Sequence, residues 1–186
     1  VSYYDVIDTP IGRLFVGGSA RGIHRVDFID DDRETRGEAG RVALLERESG
    51  EPATRDDEAT TFATSQLVEY FAGDRTEFDL PLAPVGTDFQ LRVWTALLDV
   101  PYGETVSYGE IAEAVGKPTA SRAVGAANGQ NPISIIAPCH RIIGANGSLT
   151  GYGGGLERKA WLLNLEAQAL RPMAATTSGR VEPYEA

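Results

Sequence analysis

A chain of 186 residues, 42% of them hydrophobic, can bury a real core and fold as one large domain or two small ones. A single cysteine, Cys139, excludes an internal disulfide; two histidines, His24 and His140, argue against a Cys/His metal site; and no apolar run is long enough to cross a bilayer. The net charge of −10 weighs against nucleic acid as a partner, but residues 1–84 carry 9 arginines and no lysine against 18 carboxylates, whereas residues 85–171 carry 7 cations against 7 carboxylates.

The opening Val1-Ser2-Tyr3-Tyr4-Asp5 lacks the basic and apolar regions of a secretion signal, so a cytoplasmic protein with no membrane association is expected. Two lysines beside fifteen arginines, within an acidic chain, resemble proteins of salt-rich cytoplasms; ordinary solubility charge accounts for the same composition.

In chain order, residues 1–7, 13–16 and 23–28 are short runs rich in apolar and β-branched side chains. Thr9-Pro10-Ile11-Gly12 and Gly17-Gly18-Ser19 stand between them as turns. A charged loop over 30–36 precedes a helix over 42–48 and a second over 57–71. In the latter, Phe62, Leu67, Tyr70 and Phe71 share a face, and Gly73 sits where a helix-ending glycine belongs. Leu80-Pro81-Leu82-Ala83-Pro84-Val85-Gly86 cannot continue a helix and marks a boundary between an α/β domain at 1–84 and a second domain at 85–170.

In the second half, Phe89, Val93, Ala96, Leu97 and Val100 recur at helical spacing until Pro101-Tyr102-Gly103. Thr105-Val106-Ser107 is extended. Ser107-Tyr108-Gly109-Glu110 has the Ser-x-x-Glu pattern of a capping box, opening a helix that ends at Gly116. Lys117-Pro118-Thr119 turns into a second short helix over 120–128, giving either a helix-turn-helix or an ordinary helical hairpin. That second helix is built of small residues (Ala120, Ser121, Ala123, Gly125, Ala126, Ala127) around one long side chain, Arg122. Since each helical glycine costs about 1 kcal/mol against alanine, something must approach it closely, another helix or a DNA groove. Residues 171–186 are expected to form a flexible tail.

The chemistry-bearing run is Pro138-Cys139-His140-Arg141, which sets the sole thiol beside an imidazole, behind Ile133, Ile135 and Ile136. The thiolate is the nucleophile, and a basic neighbour raises its population. Taken alone, the pair fits a protected nucleophile and a packed, inert cysteine equally well. In an extended segment adjacent side chains diverge, so His140 reaches Cys139 only around a bend or through a water.

The ordered set Ser121-Arg122-Ala123-Val124-Gly125-Ala126-Ala127-Asn128-Gly129, Asn131-Pro132, Pro138-Cys139-His140-Arg141-Ile142-Ile143-Gly144, Gly151-Tyr152-Gly153-Gly154-Gly155-Leu156, Trp161-Leu162-Leu163 and Glu166 resembles the O6-alkylguanine-DNA alkyltransferases. The similarity is dense over 87–167 and thinner before it, where Thr9-Pro10-Ile11-Gly12 and Tyr70-Phe71 with Gly73 are the landmarks.

The resemblance implies an N-terminal α/β domain, a small sheet with helices, followed by a mainly α winged helix-turn-helix domain carrying the cysteine. It also implies single-turnover, irreversible transfer of a methyl or other alkyl group from guanine O6 in double-stranded DNA to Cys139, by a monomer without cofactor or metal. His140 then accepts the thiol proton through water, Glu166 orients the imidazole, and Asn131 ties the recognition helix to the active-site turn. The recognition helix, with Ser121, Arg122, Ala123, Gly125, Ala126 and Asn128, enters the minor groove, and Arg122 fills the gap left by the extruded nucleotide. The base pocket comprises Tyr108, whose hydroxyl meets guanine N3, the Cys139 and Ile142 carbonyls, Tyr152, the Gly153 amide opposite O6, and Gly154. Some relatives carry serine or alanine where Gly153 stands; glycine keeps the N–H but implies a looser loop over Gly151–Gly155, leaving pocket tightness and alkyl-size preference open. A lesion-binding relative would lack Cys139. A Cys-His-Glu hydrolase would turn over, and a winged-helix regulator would bind duplex without thiol chemistry. The choice between guanine O6 and thymine O4 lesions is open in the sequence.

Overall fold

Strands β1 (Ser2–Thr9), β2 (Gly12–Ser19) and β3 (Gly22–Ile29) form an antiparallel meander. The computed structural model describes residues 1–30 and 37–185, of which 171–185 as backbone only; most of the charged loop expected over 30–36 therefore lies outside the described residues. A fourth strand, β4 (Ala53–Arg55), runs parallel to β1, giving the order β3-β2-β1-β4. β4 was not expected, because three residues are too few to show an alternating pattern.

Gly17-Gly18-Ser19, expected as a turn, belongs to β2. A Cβ on Gly17 would lie 2.7 Å from Leu45 Cδ2, and the β2–β3 register slips between Gly17 and Gly18. These glycines therefore serve close approach and a bulge rather than chain reversal.

Alternation along β2 distributes the helices over both faces. Phe15 packs with Leu45 of α1 (Glu38–Ser49) on one side. Leu14 and Val16 pack with Ala63, Leu67, Tyr70 and Phe71 of α2 (Asp57–Phe71) on the other. The α1 helix begins four residues before its expected start, whereas α2 has its expected bounds. Asp56 caps α2 by accepting the Ala59 N–H, and Gly73, at φ 80°, ends it with its N–H on the Tyr70 carbonyl.

The second half is mainly helical: α3 (Asp88–Leu97), the two-residue strand β5 (Val106–Ser107), α4 (Tyr108–Ala114) and α5 (Ser121–Gly129) precede a 3-10 turn, Cys139–Arg141. Strand β6 (Ile142–Ile143) then pairs with β5 in parallel, and α6 (Leu156–Glu185) closes the chain. Capping boxes start α3 (Thr87 with Gln90) and α4 (Ser107 with Glu110). Val93, Trp94, Leu97, Ile111, Ala112, Val124 and Ala127 form the core of α3, α4 and α5, and the Trp94 indole N–H donates to the Ala127 carbonyl at 2.8 Å. The helical backbone of α6 continues through the stretch expected as a tail, where Ala174 and Ala175 favour helix although Pro172 and Pro183 each lack the N–H for a backbone bond. Among the described residues no helix is long and apolar enough to cross a membrane.

The two halves meet along β3. Val26 donates to the Pro132 carbonyl at 2.8 Å and accepts from Ser134 N–H at 2.9 Å; Ile23 makes the same kind of pair with Pro81 and Ala83. The proline-rich connection thus covers a sheet edge that would otherwise stay unpaired. Buried His24 fixes it, with Nδ1 donating to the Ala83 carbonyl (2.7 Å) and Nε2 accepting from Ser19 Oγ (2.8 Å). Ile133, Ile135, Ile136 and Leu162 join Leu14, Val26, Phe28 and Leu67 in one cluster, so the segment leading to Cys139 rests on the N-terminal sheet.

Candidate active site

The path from α5 to Cys139 is a succession of tight turns held by one side chain. Asn131 donates to the Ala137 carbonyl (2.8 Å) and the Ile133 carbonyl (3.3 Å), and accepts the Ile133 N–H (3.0 Å). Inside this clasp, Ile135 has φ 72°, and Ile136 N–H reaches back to the Ser134 carbonyl at 2.8 Å. A β-branched residue there costs roughly 1–3 kcal/mol and persists only where packing over-determines it. Ile135 is 1% exposed and wedged in the shared core. The strain lies four residues before the thiol.

Cys139 opens the 3-10 turn and is buried. The expected extended segment is therefore absent here, and the thiol and imidazole leave the chain around a bend. Burial pushes the Cys139 thiol pKa up, against hydrogen bonding from Asn131 and Ser134 and the positive charge of Lys159. Burial pushes His140 down, against the hydrogen bond and charge of Glu166. Both shifts favour the uncharged pair, so the resting state is thiol beside neutral imidazole. The sequence expectation that neighbouring groups raise the thiolate population is outweighed by desolvation.

His140 Nε2 donates to Glu166 Oε2 at 2.6 Å, which fixes the tautomer and leaves Nδ1 as the acceptor nitrogen, buried and without a partner among the described residues. Glu166, on α6, accepts from further donors: Arg141 Nε on Oε1 (2.8 Å), Arg141 Nη2 on Oε2 (3.0 Å), Gly103 N–H on Oε1 (3.2 Å) and the Tyr70 hydroxyl on Oε2 (2.6 Å). Burial alone would raise the carboxyl; the hydrogen bonds from His140 and Arg141 and the positive charge of Arg141 prevail and hold it down to about 2.

Loop 151–155 covers the other side. Tyr152 packs against both cores, with its hydroxyl buried. Gly154 is required by close approach, since a Cβ there would lie 2.7 Å from the Tyr152 ring and 3.2 Å from Phe28, whereas a Cβ on Gly153 would make only ordinary contact. The buried Lys159 ammonium pins the loop, donating to the Thr150 carbonyl at 2.6 Å and the Gly151 carbonyl at 3.3 Å. Tyr108 donates to that same Thr150 carbonyl at 3.1 Å and lies over Gly125 of α5.

On α5, Arg122, Ala123 and Ala126 are exposed and Ser121 and Gly125 partly so. Asn128, expected on the DNA side, is instead buried: its amide donates to the Cys139 carbonyl at 3.3 Å. Its place in the helical period turns it inward with Val124 and Ala127. The tie between α5 and the active-site turn thus begins at Asn128, with Asn131 bracing the turn itself. Ile142 is fully buried in β6.

Sequence reasoning missed Tyr70, Arg141, Ser134 and Lys159 as site residues. Arg141 stood in the quoted motif and Tyr70 on the inward face of α2, but nothing in their spacing showed that both converge on Glu166.

Residues 88–168 match the family described as 6-O-methylguanine DNA methyltransferase, DNA binding domain, and residues 2–84 its ribonuclease-like domain. A methylated-DNA–protein-cysteine methyltransferase of Methanosarcina barkeri is 47% identical over 91% of this chain and 99% of its own length. A relative of the same name from Mycobacterium bovis is 51% identical over 88% and 92%. The crystal structure of the Mycobacterium tuberculosis enzyme OGT in complex with DNA superposes with a TM-score of 0.76 at 49% identity, covering 90% of this chain and 94% of that one. At such identity over nearly the whole length, the chain belongs to the 6-O-methylguanine DNA methyltransferase family.

Proposed function

We propose that this protein repairs DNA by direct reversal, moving a methyl or other alkyl group from guanine O6 in duplex DNA onto Cys139 Sγ. The observation that carries this reading is the single cysteine on a braced turn, followed by an imidazole whose Nε2 is held by Glu166 and whose Nδ1 is left to accept a proton. The thiol proton passes to His140, the sulfur attacks the alkyl carbon, and the carbon–O6 bond breaks. Tyr108, whose hydroxyl donates to the Thr150 carbonyl in the resting protein, gives the departing guanine a proton at its base edge and regains one from solvent, while His140 releases the thiol proton to water. The product is a thioether, which offers water no carbonyl to attack, so one molecule acts once.

In this reading α4, the 116–120 turn and α5 are a helix-turn-helix, and the β5–β6 pair is its wing. The boundary lies near 84/85. The exposed face of α5 enters the minor groove, whose width of about 6 Å suits small residues. Arg122 occupies the space of the extruded nucleotide, a step costing roughly a few kcal/mol. Glu166 orients His140, Asn131 and Asn128 hold the turn, and the Gly153 amide faces O6. The Cys139 and Ile142 carbonyls face the 2-amino group, and Tyr152 and Gly154 wall the pocket.

Incubation with O6-benzylguanine should add a benzyl group to the Cys139 peptide. Cys139→Ser should abolish the transfer while keeping duplex binding, because a hydroxyl fills the same space as a much weaker nucleophile. Transfer surviving that substitution would refute the reading.

A further inference from the structure

The Tyr70 hydroxyl comes from the N-terminal half yet lies 2.6 Å from Glu166 Oε2, the oxygen that also holds His140, and 3.5 Å from His140 Nε2 itself. Tyr70 is fully buried, its ring packed edge-on against Phe71 and Tyr102 and tilted against Phe78. Two short bonds on one carboxylate oxygen constrain each other: the phenol fixes where the lone pairs point, and these fix the plane of the imidazole.

We propose that Tyr70 is a positioning residue for alkyl transfer, acting through Glu166 on the orientation and basicity of His140, so that the N-terminal sheet domain contributes directly to the chemistry. This rests on the reading of Cys139 and His140 given above.

Other groups face the same cluster. Arg141 binds both Glu166 oxygens and the Val100 carbonyl and lies over the Tyr102 ring. Gly103 N–H reaches Oε1, and Lys159 stands toward Cys139. Arg141 neutralises the carboxylate, whereas Tyr70 draws off part of the remaining negative charge without adding any. Loss of the phenol should leave Glu166 a stronger acceptor, His140 more basic, and the imidazole less firmly held. Burial and the Glu166 charge raise the Tyr70 pKa well above its usual value, so the phenol stays a donor across the working pH range.

The test compares Tyr70→Phe with Tyr102→Phe. The second removes a hydroxyl that has no hydrogen-bond partner among the described residues, from the same aromatic cluster. Single-turnover transfer from O6-benzylguanine should slow roughly tenfold in Tyr70→Phe and be unchanged in Tyr102→Phe. The acid limb of the pH–rate profile should move to higher pH in Tyr70→Phe alone.

With only two histidines in the chain, 15N-histidine spectra read the cause directly: the His140 signals should shift while those of His24 stay in place. Wild-type rates and an unshifted His140 in a folded Tyr70→Phe protein would overturn the proposal. If Tyr70→Phe fails to fold, the wild-type protein decides. A slowly exchanging Tyr70 hydroxyl proton with cross-relaxation to the His140 ring supports the assignment, and its absence overturns it. Failure of wild-type protein to alkylate Cys139 would count instead against the repair function, and the His140 spectra would still judge the positioning role.

Discussion

At the scale of the residue, Cys139 shows how burial and reactivity compete. Desolvation holds the thiol protonated and His140 neutral, so the protein does not store a thiolate. A reagent that needs thiolate should therefore modify Cys139 slowly near neutrality and faster as pH rises, because a raised pKa leaves little thiolate below it. Iodoacetamide labelling followed by mass across pH 6–10 checks this; rapid, pH-independent labelling would reveal a preformed ion pair. Arg122 is the other residue to test. Exposed on α5 and proposed above to fill the place of the extruded nucleotide, it would have no task when the substrate is a free base that needs no extrusion. Arg122→Ala should impair repair of methylated duplex far more than reaction with free O6-benzylguanine. Equal losses would place Arg122 in support of the fold.

At the scale of the element, pH should report on the two buried histidines. Both have pKa values below the usual 6.5, mainly through burial, so the unfolded chain binds protons that the folded one refuses. Their contribution is complete above pH 6.5 and declines as pH falls below it. Glu166, held at about 2 against a usual 4.5, adds a second loss between those values. Urea midpoints should fall from pH 8 to pH 5, and a flat profile over that range would contradict the assignment.

Sequence legibility followed the same scale. α2 and α4 were readable because an apolar face closed by Gly73 and the Ser107–Glu110 capping box are local signals. β4 and the bulge at Gly17-Gly18 were not, because a three-residue edge strand and a glycine packed under Leu45 are defined by partners distant in the chain. At the site, Cys139 and His140 stood out as a pair in the sequence, a reactive and an inert cysteine fitting equally, and Glu166 entered only through resemblance. The donors on Glu166 from Tyr70 and Gly103 come from 96 and 63 residues away, a convergence no spacing rule contains. Asn128 was misjudged because a helix of small residues gives a weak periodic signal for its buried face.

At the scale of the whole molecule, charge governs the encounter with DNA. Of the cations in 85–171, Arg141 is committed to Glu166, Arg158 to Asp30 and Lys159 to the 150–151 carbonyls. Arg92, Lys117 and Arg122 are exposed, and the side chain of the seventh cation, Arg171, lies outside the described residues. Three phosphate contacts would give a slope of about −3 in log affinity against log salt, far shallower than for a basic DNA-binding protein. A salt titration giving a slope near −6 or steeper would show that cations beyond these three also take part.

The central claim is that Cys139 accepts one alkyl group and keeps it. Mixing the protein with excess O6-methylguanine duplex and following both partners by mass tests this most directly. The account predicts one methyl group on the Cys139 peptide per molecule and one repaired guanine per protein, after which the reaction stops. Continued repair beyond one equivalent, or an unmodified Cys139 at the end of the reaction, would contradict it.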